Sequence, residues 1–135
     1  MNQLEEMLEA HPAPAHTDGD VAQACVEECS ECAAVCAACA DACLAEEAVA
    51  ELVQCIRLNL DCSDICEVTG RLFARPSRRD APALAHQLDA CAAICRACAD
   101  ECASHAHHME HCRICAESCR RCADACDRMR TALVA

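Results

Sequence analysis

Cys91-Ala-Ala-Ile-Cys95-Arg-Ala-Cys98-Ala-Asp-Glu-Cys102 decides how the chain folds. Its Cys are spaced 4, 3 and 4 residues apart. That is the a/d rhythm, which places such residues on one stripe of an α-helix and, where helices pack together, aims the stripe at their common axis. The phrase occurs also as Cys32-Ala-Ala-Val-Cys36-Ala-Ala-Cys39-Ala-Asp-Ala-Cys43 and returns less closely between Cys115 and Cys126. Three near-copies on three predicted helices make an internal repeat. Cys has taken the place of Leu, and the Ala beside each Cys lets neighbouring helices come close.

Gly and Pro punctuate the rest. Between Pro12, Pro14, Gly19, Gly70, Pro76 and Pro82 lie long stretches rich in Ala, Glu, Leu and Arg, with almost no β-branched runs or period-2 alternation. The predicted fold class is all-α. A short helix over about 3–10 ends before the His11-Pro12-Ala13-Pro14 break. The first long helix starts at 17–20, where Thr17, Asp18 and Asp20 are good N-caps, and runs to about 46. A second spans about 47–70. The segment Arg75 to Pro82 is the clearest loop, with Asp80 and Pro82 starting a third helix to about 104, and a fourth covers about 107–130. Four helices of about 25 residues joined by short turns predict an up-down-up-down four-helix bundle with a Cys-lined core. The domain organisation expected is one unit over 1–135, with an N-terminal helix and linker at 1–16 and the bundle at 17–135.

Composition narrows the function. The 135 residues include 18 Cys, one Phe, no Trp and no Tyr, so the core is short of large apolar side chains. A formal charge of −12 repels nucleic acid and anionic lipid, and aromatic platforms for base stacking are missing. No apolar run approaches the roughly 20 residues that span a bilayer. The acidic start Met1-Asn2-Gln3-Leu4-Glu5-Glu6 has no basic, apolar or twin-Arg export signal, so a cytoplasmic location is expected. In that compartment thiols stay reduced, and so many Cys point to metal or redox chemistry rather than to disulfides.

The Cys positions are Cys25, Cys29, Cys32, Cys36, Cys39 and Cys43; Cys55, Cys62 and Cys66; Cys91, Cys95, Cys98 and Cys102; and Cys112, Cys115, Cys119, Cys122 and Cys126. Thiols as mere core filler would bring oxidation and no stability gain. Neighbouring Cys on one helix point nearly parallel and bridge poorly, which disfavours disulfides. Iron-sulfur clusters use Cys on loops that wrap the inorganic core, whereas these lie mid-helix. Charge then bears on the metal. Closed Zn sites of four thiolates keep a residual negative charge, whereas monovalent ions equal in number to the thiolates neutralise the core. Soft thiolates select Cu(I), and a thiolate bridging two ions leads to a capacity of roughly one Cu(I) per Cys. A zinc or iron-sulfur binding protein and a thiol-redox protein stand as alternatives. The redox reading needs one or two privileged Cys with lowered pKa, and this chain repeats equivalent ones. No Ser/His/Asp set or phosphate loop is present, so no enzyme activity is expected.

On these Cys-lined helices, the C-x3-C-x2-C-x3-C phrase and the missing twin-Arg signal, the chain resembles the cytosolic copper storage proteins. The resemblance covers most of its length. It implies a homotetramer of four-helix bundles, each holding many Cu(I) ions for storage or detoxification, with every Cys from Cys25 to Cys126 a ligand; a copper chaperone is the further partner expected.

Two further features lie outside the Cys register. His105, His107, His108 and His111, with Met109 among them, flank the third turn and are expected to ring one mouth of the core. Imidazole and thioether both bind Cu(I); His107, His111 and Cys115 would run down one ridge, and His105 and His108 would cap the last thiolates. Solvated His at a helix start is the plainer alternative, and it is preferred for the isolated His11, His16 and His86. On the second helix Val53, Ile56, Leu60, Ile65, Val68 and Leu72 mostly lie off the Cys stripe, which suggests an oligomer interface. Asn59 falls among the thiols in the core register, as their hydrogen-bonding partner, as a weak oxygen ligand or as a buried amide satisfied by backbone.

Overall fold

Long runs of Ala with Glu, Leu and Arg sustain helices until a turn is forced. The structure, a computed structural model, describes residues 2–13, 19–77 and 81–134. A short helix α1 (Gln3–Ala10) is followed by four long ones: α2 (Gly19–Leu44), α3 (Val53–Phe73), α4 (Ala81–Ala103) and α5 (Glu110–Val134). No strand occurs among the described residues. The all-α expectation holds, including the extra N-terminal helix. The N-caps expected at Thr17 and Asp18, and the helix start expected at Asp80, lie outside the described residues.

Each long helix packs on two neighbours in the ring α2–α3–α4–α5. Contacts run in opposite senses along each pair: Gly70 lies beside Cys29 while Ser63 bonds Ala33 across α2 and α3, and Arg96 pairs with Asp127 while Arg130 pairs with Asp89 across α4 and α5. Cys29 meets Cys126 while Cys36 meets Cys115 across α2 and α5, and Cys55 meets Cys102 while Cys66 meets Cys91 across α3 and α4. This is the up-down-up-down order. No helix among the described residues is long and apolar enough to cross a membrane.

The helix ends differ from the sequence reading where turns carry good helix formers. After α2 the chain passes through a 3-10 turn, Val49–Leu52, so α3 begins later than expected. Leu52 in that turn is fully buried and closes one corner of the core. Residues 104–108 form consecutive turns, and Met109 links them to α5. Their amides bond back three or four residues, as in His105 N–H to Cys102 O and Met109 N–H to His105 O. His107 therefore lies outside the helix that carries His111.

Packing is tightest between α2 and α3. A Cβ built on Gly70 would stand 3.4 Å from Cys29 Cβ and 3.4 Å from Ser30 Oγ, in van der Waals contact with α2, so the seam there has room for a methyl group and nothing larger. Ser63 Oγ donates to Ala33 O at 2.7 Å across the same seam. The outer seams carry ion pairs, Arg96–Asp127 and Arg130–Asp89 between α4 and α5 and Arg121–Glu28 between α2 and α5. Exposed pairs of this kind contribute little each.

Candidate metal centre

All eighteen Cys are buried and none is in a disulfide. The stripe predicted from the spacing faces the bundle axis on all four helices. Facing sulfurs are close: Cys66 and Cys95 are 3.4 Å apart, Cys36 and Cys119 3.5 Å, Cys55 and Cys102 3.6 Å, and Cys32 and Cys119 3.8 Å. Pairs one turn apart on a single helix also converge, as with Cys32 and Cys36 at 3.8 Å and Cys62 and Cys66 at 3.8 Å.

These sulfurs form sets whose ligand atoms lie within 4.8 Å of one another, close enough to hold an ion: Cys29, Cys91, Cys122 and Cys126; Cys32, Cys66, Cys95 and Cys122; Cys32, Cys36, Cys62 and Cys119; and Cys36, Cys98, Cys115 and Cys119. The sets share members. Cys32, Cys36, Cys119 and Cys122 each belong to two. Isolated four-ligand sites do not share thiols, whereas a chain of bridged ions does.

Asn59 stands among the thiols with no solvent exposure. Its Oδ1 accepts from Cys98 Sγ at 3.1 Å, Cys115 Sγ at 3.1 Å and Cys102 Sγ at 3.6 Å, and its Nδ2 donates to Cys55 Sγ at 3.6 Å. The amide is thus a partner of sulfur on three helices, not of backbone.

The two ends of the core differ. Past Cys25 and Cys126 the axis is filled by Leu88, Met129, Phe73 and Leu84, all at most 7% exposed. Past Cys43 and Cys112 stands His111, half-buried, in one set with Cys39, Cys43 and Cys112. Its Nδ1 is 3.4 Å from Cys39 Sγ and 3.6 Å from Cys112 Sγ, and its Nε2 is 2.8 Å from Glu46 Oε2. His105, also half-buried, places Nε2 at 2.9 Å from Glu101 Oε2. His107 and His108 are exposed with ring centroids 3.8 Å apart, and Met109 is partly buried against the core. The structure brings His111 to the thiols. It does not put His107 on a helical ridge with His111 and Cys115, because α5 begins only at Glu110.

Proton sharing governs the mouth thiols. Cys55 is held down to about 3, first by its hydrogen bond with Cys102 and then by that with Cys39. Burial pushes Cys43 up to about 11, helped by charge on Cys55, and Cys112 up to about 12 by burial and then by Cys55 and Cys43. Protons kept on such thiols must leave when a metal binds.

Glu46 and Glu101, which touch the two half-buried His, were not singled out in the sequence. The i, i+4 spacing of Glu101 and His105 was a readable signal. Glu46 and His111 are 65 residues apart, and no local pattern links them.

The profile of the copper storage protein family matches residues 18–131. The chain belongs to that family. Its fold is similar to that of the copper storage protein Ccsp from Streptomyces lividans, solved with 10 copper equivalents, with a TM-score of 0.93, 44% identity, and 96% of this chain and 99% of that one covered. The Cu(I)-bound copper storage protein BsCsp3 is similar with a TM-score of 0.71 and 36% identity, covering 81% of this chain and 97% of that one. An uncharacterized cysteine-rich protein of Bacillus subtilis, YhjQ, is 38% identical over 94 residues, 70% of this chain and 82% of its own length. In this family member the four helices that build the sulfur core fall within the matched segment almost entirely.

Proposed function

We propose that this chain stores Cu(I) in the cytosol, taking roughly one ion per Cys and performing no catalytic step. The observation that carries this reading is the sharing of thiols between adjoining sulfur sets, since it suits a chain of bridged monovalent ions. Each of the eighteen Cys is assigned as a ligand, within a storage unit of residues 17–135 to which 1–16 adds a helix and linker. Asn59 Oδ1 loses its thiol donors when those thiols ionise, and an oxygen then faces the bound cations. His111 is the nitrogen ligand at the entrance. His107, His108, His105 and Met109 form the lip that receives copper, with a copper chaperone as the expected donor, while the apolar plug of Leu84, Leu88, Phe73 and Met129 closes the far end.

Metal analysis of protein isolated without oxygen from copper-supplemented cells tests the metal assignment. A colourless product carrying many copper ions and no sulfide is expected. Zinc at a few equivalents, or a brown product with iron and sulfide, would support the alternatives instead.

The finer proposal concerns assembly. Val53, Leu60 and Val68 are 43%, 49% and 50% exposed along the outer face of α3, with Arg57 and Asp64 between them. Antiparallel packing of α3 against a second copy, about a point between Leu60 and Asp61, sets Val53 against Val68, Arg57 against Asp64 and Leu60 beside its own copy. A face that matches itself in this way suits an isologous contact. It fits one interface of the homotetramer that the family resemblance implies. Light scattering should give an oligomer that Leu60→Arg breaks down; a monomeric wild-type chain would refute it.

A further inference from the structure

Building on the storage reading above, we propose that Glu46 is a positioning residue for copper entry: it fixes the tautomer of His111 so that a bare nitrogen faces the outermost thiols. The geometry leaves the imidazole little choice. Glu46 Oε2 lies 2.8 Å from Nε2, and Cys39 and Cys112 sulfurs lie 3.4 and 3.6 Å from Nδ1. A neutral imidazole carries one N–H. With the proton on Nδ1, the Nε2 lone pair would be pressed against a carboxylate oxygen at hydrogen-bond distance, two acceptors with nothing between them. With the proton on Nε2, that N–H donates to Glu46, and the Nδ1 lone pair accepts from S–H groups.

The second arrangement satisfies every group, and it is also the one that ligation requires. Cu(I) needs a lone pair, and Nδ1 is the nitrogen that faces Cys39 and Cys112, which together with Cys43 form a set with His111. A carboxylate on the far nitrogen also holds the ring plane. The contact joins distant parts of the chain, because Glu46 follows the end of α2 and His111 lies in the first turn of α5. It therefore ties two sides of the mouth together. Glu101 makes a similar contact with His105, but those residues are only four apart and that contact ties no second helix.

Loss of such a partner generally costs about 10–100-fold in metal affinity or activity. Without Glu46 the ring can turn, and the Nδ1–H form, which cannot accept Cu(I) at that nitrogen, becomes populated. Two readouts separate this proposal from the storage reading. The first is the tautomer of His111 in metal-free protein, read by long-range nitrogen–proton NMR above the ordinary imidazole titration range. The second is the rate at which the first Cu(I) equivalents, supplied from a weak Cu(I) chelator, enter the core, with the final capacity as control. Wild-type protein should show Nε2–H. Glu46→Leu should give mixed tautomers and loading slower by about 10-fold at unchanged capacity, and Glu46→Gln, whose amide oxygen still accepts, should restore both. A wild-type Nδ1–H tautomer, a Glu46→Leu protein with unaltered tautomer or unaltered loading, or a Glu46→Gln protein that behaves like Glu46→Leu would overturn the proposal. Failure of wild-type protein to take up copper would refute storage itself and leave the tautomer result to stand or fall separately.

Discussion

Asn59 occupies a position where the heptad pattern asks for a small apolar residue or a thiol, and its amide bonds sulfur of α3, α4 and α5. Buried polar groups deprived of partners cost about 1–3 kcal/mol. Asn59→Ala removes the shared acceptor of three thiols, and metal-free protein should lose stability of about that size in denaturant unfolding. Unchanged stability would show that the amide is a bystander. The sequence placed Asn59 among thiols but left its partners open, because a heptad register gives the direction of a side chain and not the rotamers of those around it. His111 shows the same division. Its nearness to the core followed from its spacing to Cys115, whereas its contact with Glu46 depends on how two remote segments pass each other.

At the level of elements, the Cys rhythm located α2, α4 and α5 because 4-3-4 spacing repeated with Ala beside the Cys has one interpretation, while α3, with only Cys55, Cys62 and Cys66, was located by the helix formers between its flanking breaks. Their ends were less legible. Residues 45–52 and 104–109 are rich in Ala, Glu, Leu and His, which favour or tolerate helix, and only the need to reverse direction breaks them into turns. The loss of helix at 107–109 is what moves His107 off the ridge of α5. Elements also differ from end to end. The Cys stripes of α4 and α5 continue as Leu84 and Leu88 on one and Met129 on the other, closing the core opposite His111. Leu88 has no exposed surface, and truncating such a residue costs about 2–5 kcal/mol. Leu88→Ala should therefore lower the stability of metal-free protein by that amount while leaving copper capacity at the wild-type value. A fall in capacity instead would mean that this end takes part in holding copper.

For the whole molecule, composition carried more than usual. A chain of 135 residues with 18 Cys and a single aromatic side chain cannot fill its centre with the customary large apolar groups. The structure supplies sulfur there instead, buried on every long helix and arranged in overlapping sets. Assembly was legible only as a suspicion, since apolar residues off the Cys stripe could pack inside or outside the bundle. Ile56, Ile65 and Leu72 pack partly against the core, whereas Val53, Leu60 and Val68 stay exposed. The central claim is that the sulfur core is a store for monovalent copper. Titration of the reduced, metal-free chain with Cu(I) under anaerobic conditions, in competition with a Cu(I) chelator of known affinity, tests it most directly. Uptake should continue to roughly one ion per Cys, on the order of 18 equivalents, with proton release throughout; saturation at only a few equivalents would contradict it.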